Sequence, residues 1–367
     1  MRILHVTPYY LPEDEYGGPV ITVSRLAEEQ VRTGASVCVF TTTAGKSGSG
    51  FEPARVQVLR FRRWGEYGFF SPGLLWAFWR MAPTFQTVHL HTWWNFTAFG
   101  VVVLGRLRGI RMVVCPHGML SPYSLSKSWL RIFFQKTVGR WLLSKGRLQA
   151  TSRQEAAELH ALHPGIPARV VPNIVCLPSP SAVSEKEPSP EMRLLFLSRV
   201  HPKKGLDLLL EALAGMPGGR AWRLSVGGSS EGNYVEKMQE LAQNLGIADR
   251  VHWHGWVQGD AKWALLAESD LLVLPSRNEN FAIVVLEALA MGTPVLLSDQ
   301  VGLQDYVREN DFGWCCEPTI ESLREMLWAA FAGTAKRQHI HRLAPGAVRA
   351  DYAPEKTLQA YFDLYYD

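Results

Sequence analysis

Several things are scarce or missing in this 367-residue chain, and each absence narrows what it can be. The five cysteines, Cys38, Cys115, Cys176, Cys315 and Cys316, are odd in number and lack metal-ligand spacing. That argues against a disulfide framework or a zinc knuckle and for a reducing compartment. The opening MRILHVTPYY has neither the apolar run nor the small-residue cleavage site of a secretory signal. No apolar run approaches the ~20 residues that a bilayer-crossing helix needs; the run from Phe96 to Leu104 ends at Arg106. A cytoplasmic location is expected, with peripheral contact at the inner face of the cytoplasmic membrane as the variant of it. No G-x-G-x-x-G follows a first strand, which counts against a two-domain dehydrogenase. No nucleic-acid recognition motif or aromatic ribonucleoprotein pattern is visible, so no nucleic-acid partner is expected. Neither an Asp-x-Asp pair nor a His/Cys cluster stands where a metal would be held, so the expected cofactor is none and the expected metal is none. Acidic residues are also absent from Tyr67 to Ala150, while ten Lys and Arg are interleaved there with aromatics.

What is present is two rounds of strand–helix alternation. The first runs through RILHVTP, then strands at about 36–42, 55–61, 87–91, 111–115 and 147–151, with helical segments between most of them. The second restarts at MRLLFLS after a stretch rich in Pro, Ser and Glu, LPSPSAVSEKEPSPE, which reads as a linker. Such alternation predicts parallel sheets covered on both faces. The domain limits follow: residues 1–175, a linker over 176–191, a second domain over 192–351, and a C-terminal amphipathic helix over 352–367 crossing back to the first domain.

Candidate site residues cluster at predicted carboxyl ends of strands, where open α/β sheets hold their ligands. LLVLPSRNENFAIVVLEALAMGTPVLLSD reads as strand, loop, a helix over about 281–291 and strand. Glu279 lies in its loop, and Glu287 is the only charge in an otherwise apolar helix. A carboxylate buried there without a partner would cost several kcal/mol, so Glu287 requires one. The plain alternative is a structural partner for Glu287 and a solvated loop for Glu279. In SRVHPKKG, Arg199 follows a strand, and Lys204 with Gly205 opens the next helix, an arrangement suited to a diphosphate. Gly17 and Gly18 precede a helix started by Pro19 and closed by Gly34. CPHG sets His117 and Gly118 just beyond a strand.

The ordered set Gly17-Gly18, CPHG, VVPN, SRVHPKKG, GGSS, HGWV and PSRNENFAIVVLEALAMGTPV resembles the family-4 retaining glycosyltransferases over essentially the whole chain. The resemblance implies the GT-B form of the α/β class, two Rossmann-like doubly wound domains facing a central cleft. It also implies that Arg199 and Lys204 hold the donor diphosphate, that Glu279 lies at the transferred sugar and that Glu287 binds the ribose. Asn280, Phe281, Ala282 and Ile283 would complete the sugar and phosphate cradle, Gly18 would approach the diphosphate, His117 would stand beside the reacting carbon, and Val257 would meet the base. Two departures exist: Ala282 stands where glycine is frequent, and Ile174-Val175-Cys176 replaces a frequent Gly-Val-Asp.

The implied partners are a nucleotide-diphosphate sugar and a glycan or lipid-linked acceptor of cell-surface polysaccharide synthesis, transferred with retention by same-face attack. The basic, aromatic segments Phe61 to Arg80 and Lys127 to Arg147 suggest docking on an anionic membrane surface. The competing readings are a nucleotide-sugar 2-epimerase of similar architecture and a non-enzymatic nucleic-acid-binding protein.

Overall fold

The computed structural model describes residues 1–11, 18–44, 48–52, 55–65, 68–179, 189, 191–216, 221–230 and 232–366. They form two compact units, Met1–Cys176 with Pro354–Asp367, and Leu177–Ala353. Gly17 and most of the expected linker lie outside the described residues.

The first unit is built on strands β1 (Arg2–Val6), β2 (Ser36–Thr43), β3 (Gly48–Glu52), β4 (Val56–Arg62), β5 (Thr87–His91), β6 (Met112–Cys115), β7 (Arg147–Ala150) and β8 (Ala168–Val170). Their order in the sheet is β3-β4-β2-β1-β5-β6-β7-β8. Every pairing is parallel except the antiparallel β3–β4 edge. The chain fills one side of β1 and then returns to the other through β5, which places the topological switch between these two strands. Helices α1 (Gly18–Arg32), α2 (Pro72–Met81), α3 (Phe96–Leu107), α4 (Pro122–Leu125), α5 (Trp129–Phe134), α6 (Arg140–Leu143) and α7 (Arg153–Leu162) accompany it. Alternate residues of the buried strands feed two separate cores. Leu4, Val6 and Phe40 pack with Phe78 and Trp93, whereas Ile3, Val37 and Val39 pack with Leu26 of α1 and with Leu358 and Tyr365 near the chain's end.

The second unit is a six-stranded parallel sheet of β9 (Met192–Leu197), β10 (Trp222–Gly227), β11 (Val251–Gly255), β12 (Leu271–Leu274), β13 (Val295–Ser298) and β14 (Gly313–Cys316), in the order β11-β10-β9-β12-β13-β14. Its helices are α8 (Leu206–Ala214), α9 (Tyr234–Asn244), α10 (Gly259–Glu268), α11 (Ile283–Ala290), α12 (Gln304–Glu309), α13 (Ile320–Ala332) and α14 (Thr334–Asp351). The last helix, α15 (Pro354–Tyr366), belongs to the first unit, where Arg111 donates to the carbonyls of Tyr365 and Tyr366 at 3.2 and 3.0 Å.

Two boundaries differ from the sequence expectation for local reasons. The helix expected over about 281–291 starts at Ile283, because Ala282 is left-handed at φ 65° and ψ 70°. The last helix starts at Pro354 and not at Tyr352, whose ring instead packs on Tyr306 at 5.2 Å. The edge strand β3, with the sequence GSGFE, had no apolar alternation to announce it.

Candidate functional site

In the second unit, the loops that follow β9, β10 and β12 are packed too closely for side chains at two glycines. Gly205 has φ 72°, and a Cβ there would lie 2.2 Å from the Pro275 carbonyl oxygen. Gly228 has φ 141°, and its Cβ would lie 1.9 Å from the Ser198 carbonyl oxygen. Arg277 locks two of these loops together. Its backbone N–H donates to the Lys203 carbonyl at 2.8 Å and its guanidinium to the Pro202 carbonyl at 2.7 Å. The same guanidinium forks onto the Asp207 carboxylate at 2.8 and 2.6 Å.

This clasp brings Lys204 against Glu279, whose carboxylate accepts from the lysine Nζ. Both side chains are largely buried. Glu279 is itself held by its backbone, which donates to the Gln300 carbonyl and accepts from the Gly302 N–H, each at 2.9 Å. Burial pulls Lys204 down to about 7, with Lys203 and the exposed Arg199 pressing in the same direction. The contacting carboxylate favours the charged form but does not outweigh these. An arriving polyanion would stabilise the protonated Lys204 amine against the repulsion of Lys203 and Arg199.

Beyond Glu279 the chain turns through Asn280 and Phe281 into α11. The Phe281 side chain is buried and meets the Tyr352 ring at 6.3 Å, so it serves the core. The backbone after it, expected together with Phe281 to form a sugar and phosphate cradle, leads directly into α11. Ala282 is left-handed and no side chain caps α11, which leaves the amide end of Ile283 and the helix behind it as the anion-attracting feature. Glu287 is buried, and the partner it required is Lys262 of α10, at 2.6 Å. Val257 lies beside Gly227, where an added Cβ would be 3.4 Å from its Cγ2.

In the first unit Gly18 opens α1 with nothing within 4 Å of its missing Cβ. His117 follows β6 in the left-handed region at φ 52°, next to Gly118 at φ 74°. The buried Glu155 of α7 fixes this turn, because its carboxylate accepts from the Gly118 N–H at 2.6 Å, the Thr151 N–H at 2.7 Å and the Thr151 hydroxyl at 3.0 Å. Burial draws His117 down to about 4, so the ring is neutral at pH 7. Its Nε2 lies 3.2 Å from Nδ1 of His91. No local pattern announces a histidine cluster, yet strand register builds one: His5 sits opposite His89, and His91 lies two residues further along the same face.

The structure thus gathers Arg199, Lys204 and Glu279 at one place in the second unit, with Asn280, Ala282 and Ile283 following in the chain and Glu287 tied to α10. Sequence reasoning missed Arg277, Asp207, Lys262, Glu155 and the histidine cluster. Of these only Arg277 and Asp207 carried a local signal, since each falls inside a charged loop or first helical turn next to a residue already singled out.

Two doubly wound sheet units in one chain have the GT-B architecture. Residues 17–174 match the family described as glycosyl transferase 4-like domain, and residues 181–344 match that described as glycosyl transferases group 1. The chain belongs to these GT-B glycosyltransferases. Over its full length it is similar to a D-inositol 3-phosphate glycosyltransferase of Xylanimonas cellulosilytica, at 26% identity over 100% of this chain and 95% of that one. It is also similar to the lipopolysaccharide core biosynthesis glycosyltransferase LpsE of Rhizobium meliloti, at 33% identity over 33% of each chain. Seven curated relatives at 32% to 40% identity are matched over only 28% to 43% of their own length. Among solved structures, Alr3699/HepE of Anabaena in complex with UDP and glucose superposes with a TM-score of 0.77 at 19% identity, covering 99% of this chain and 98% of that one.

Proposed function

We propose that this chain is a retaining glycosyltransferase that moves a sugar from a nucleotide-diphosphate donor to a glycan or lipid-linked acceptor in cell-surface polysaccharide synthesis. The observation that carries the reading is the Lys204–Glu279 contact beside Arg199, at the carboxyl ends of β9 and β12 and next to the uncapped start of α11. Breaking a sugar–phosphate bond leaves negative charge on a nucleoside diphosphate. Lys204, Arg199 and the α11 amides are the groups that would stabilise it, at about 10² to 10³ in rate for each preorganised donor removed. Glu279, released from Lys204 as the diphosphate takes that cation, would be free to accept hydrogen bonds from sugar hydroxyls. Glu287, fixed by Lys262, would do the same for the ribose. Because fixed cations and helix amides neutralise the diphosphate, the reading requires no metal. Retention follows if a donor phosphate oxygen takes the acceptor's proton on the same face of the sugar.

On the acceptor side, the reading is supported by the exposed Trp129, Leu130, Phe133 and Trp141 of α5 and α6, set among Lys127, Arg131, Lys136, Arg140 and Lys145. This surface would bring a lipid-linked acceptor within reach by docking on an anionic leaflet. No described helix is long and apolar enough to cross a membrane.

The deciding experiment incubates the protein with a panel of nucleotide sugars and a lipid-linked saccharide fraction, and follows nucleoside diphosphate release and the anomeric configuration of the product. Retained configuration, lost in Lys204→Ala and Glu279→Ala variants that still fold, supports the reading. Isomerised nucleotide sugar without transfer, or near-normal turnover in either variant, overturns it.

A further inference from the structure

Six polar side chains of the first unit, His89, Tyr365, Gln30, His5, His91 and His117, form one line of contacts that ends at His117. Gln149 Nε2 donates to the Val171 carbonyl at 2.8 Å. Gln149 Nε2 also donates to the Tyr361 hydroxyl at 2.8 Å, while Gln149 Oε1 and His89 Nε2 make no hydrogen bond to the described residues. His89 Nδ1 lies 2.8 Å from the Tyr365 hydroxyl of α15, which in turn lies 3.1 Å from Gln30 Nε2. Gln30 Oε1 is 2.7 Å from His5 Nε2, His5 Nδ1 is 2.9 Å from His91 Nε2, and His91 Nδ1 is 3.2 Å from His117 Nε2. Apart from His117, every side chain in the line is at most 2% exposed.

The His5–His91 and His91–His117 pairs have the geometry of hydrogen-bonded rings. The His5–His91 and His91–His117 ring planes are within 26° and 24° of each other, with centroids 5.2 and 5.5 Å apart. With facing nitrogens only 2.9 and 3.2 Å apart, the rings lie end to end.

A neutral imidazole has one N–H and one bare nitrogen, so each link dictates the next. The Gln30 amide sets the direction, because its nitrogen faces the Tyr365 oxygen and its oxygen faces His5 Nε2. Tyr365, accepting from Gln30, donates to His89 Nδ1. The tyrosine oxygen accepts from Gln30, whose own oxygen accepts from His5 Nε2. His5 Nδ1 then accepts from His91 Nε2, and His91 Nδ1 accepts from His117 Nε2. Burial keeps His5 near 4 and holds His89 and His91 lower than usual, so no extra proton breaks the sequence.

We propose that this relay fixes His117 as the Nε2–H tautomer, so that its Nδ1 meets the substrate as a hydrogen-bond acceptor and selects a hydroxyl donor there. Gln30, His5 and His91 are positioning residues for that choice. The tautomer stands on the relay alone, whereas the substrate half rests on the reading of His117 as a neighbour of the transferred sugar.

The test is ¹⁵N NMR of the full chain carrying labelled histidine, with the His117 signals assigned by their loss in His117→Gln. In the native protein the His117 proton is expected on Nε2. Gln30→Met removes the acceptor for His5 Nε2–H; reversing the relay spares a buried orphan N–H, so the His117 proton is expected to move to Nδ1. Gln30→Glu keeps an acceptor there and is expected to leave the proton on Nε2. An Nδ1–H tautomer in the native protein, or one unchanged in a folded Gln30→Met variant, overturns the relay. If Gln30→Met does not fold, a His117 proton on Nδ1 in Gln30→Glu does so. With the panel of nucleotide sugars, kcat/KM is expected to fall about tenfold in Gln30→Met and to recover in Gln30→Glu. A moved proton with unchanged kcat/KM overturns the substrate half and leaves the relay standing.

Discussion

Lys204 is a buried amine whose proton is held loosely, and that single property governs how the site should respond to pH. Its pKa falls from 10.5 in a solvated chain to about 7 in the fold. Between these values the unfolded chain binds more protons than the folded one, so this group's contribution to stability rises with pH from about 7 to 10.5 and is least favourable below 7. Lys204→Met should remove that slope, which thermal unfolding from pH 6 to 10 would reveal as a flatter profile. A bound diphosphate reverses the balance, because it favours the charged amine. Nucleoside diphosphate binding at pH 8 should therefore take up a proton, read by calorimetry in buffers of different ionisation enthalpy; no uptake would separate Lys204 from the anion. Ala282 is the other residue whose local state makes a prediction. A non-glycine residue in the left-handed region costs about 1 to 2 kcal/mol, and glycine gives back about 0.5 to 1 through its freer unfolded chain. Ala282→Gly is thus expected to stabilise the protein by roughly 0.5 to 1 kcal/mol in a denaturant titration. The residue that departs from the family pattern sits where the backbone still asks for the family's choice.

At the scale of elements, the site depends on contacts between loops. The Arg277–Asp207 fork ties the loop after β12 to the first turn of α8, and both side chains keep a quarter to a third of their surface in water. A double-mutant cycle should therefore return a coupling of only about 0.5 to 1 kcal/mol in stability. Each single alanine variant should nonetheless weaken donor binding by about tenfold, since Lys204 is placed by the loop that Arg277 holds. Equal donor affinity in Arg277→Ala would show that the loop keeps its shape alone. Strands and helices were legible because buried parallel strands are short apolar runs and the helices between them are amphipathic. Lys204 and Glu279 were legible because strand ends and charged loops coincide in the sequence. The Lys262 partner of Glu287, the Glu155 brace under Gly118 and the meeting of His5 with His91 were not, because sheet register and helix docking join residues far apart in the chain. No local pattern encodes which distant side chain fills a buried carboxylate's need. That such a need exists could still be read, and at Glu287 it was.

Across the whole molecule, charge is divided unevenly. Residues 1–150 carry 18 Lys and Arg against 7 Asp and Glu, a balance of 18 − 7 = +11, while the full chain has only +4. The excess coincides with apolar rings that the fold leaves in water: Trp129 is 73% exposed, Phe133 62% and Trp141 53%. If these rings served the core, α5 would have buried residues, and it has none. Arg106 covers the Trp141 ring at 4.3 Å, which keeps a basic group at the level of the aromatics, as an anionic interface would favour. Burying a large apolar side chain is worth about 1.5 to 3 kcal/mol, and each basic residue near an anionic surface adds about 1. Trp129→Ser with Trp141→Ser should therefore lower partitioning onto vesicles of 30% anionic lipid by about 10² or more, while costing the fold at most about 1 kcal/mol through the lost Arg106 stacking. The same flotation assay in high salt should weaken binding by the native protein, since exposed charges are screened there. Binding to neutral vesicles as strong as to anionic ones, or flotation unchanged in the double variant, would leave the exposed rings and the basic excess without a common purpose, and the acceptor would have to reach the protein from solution.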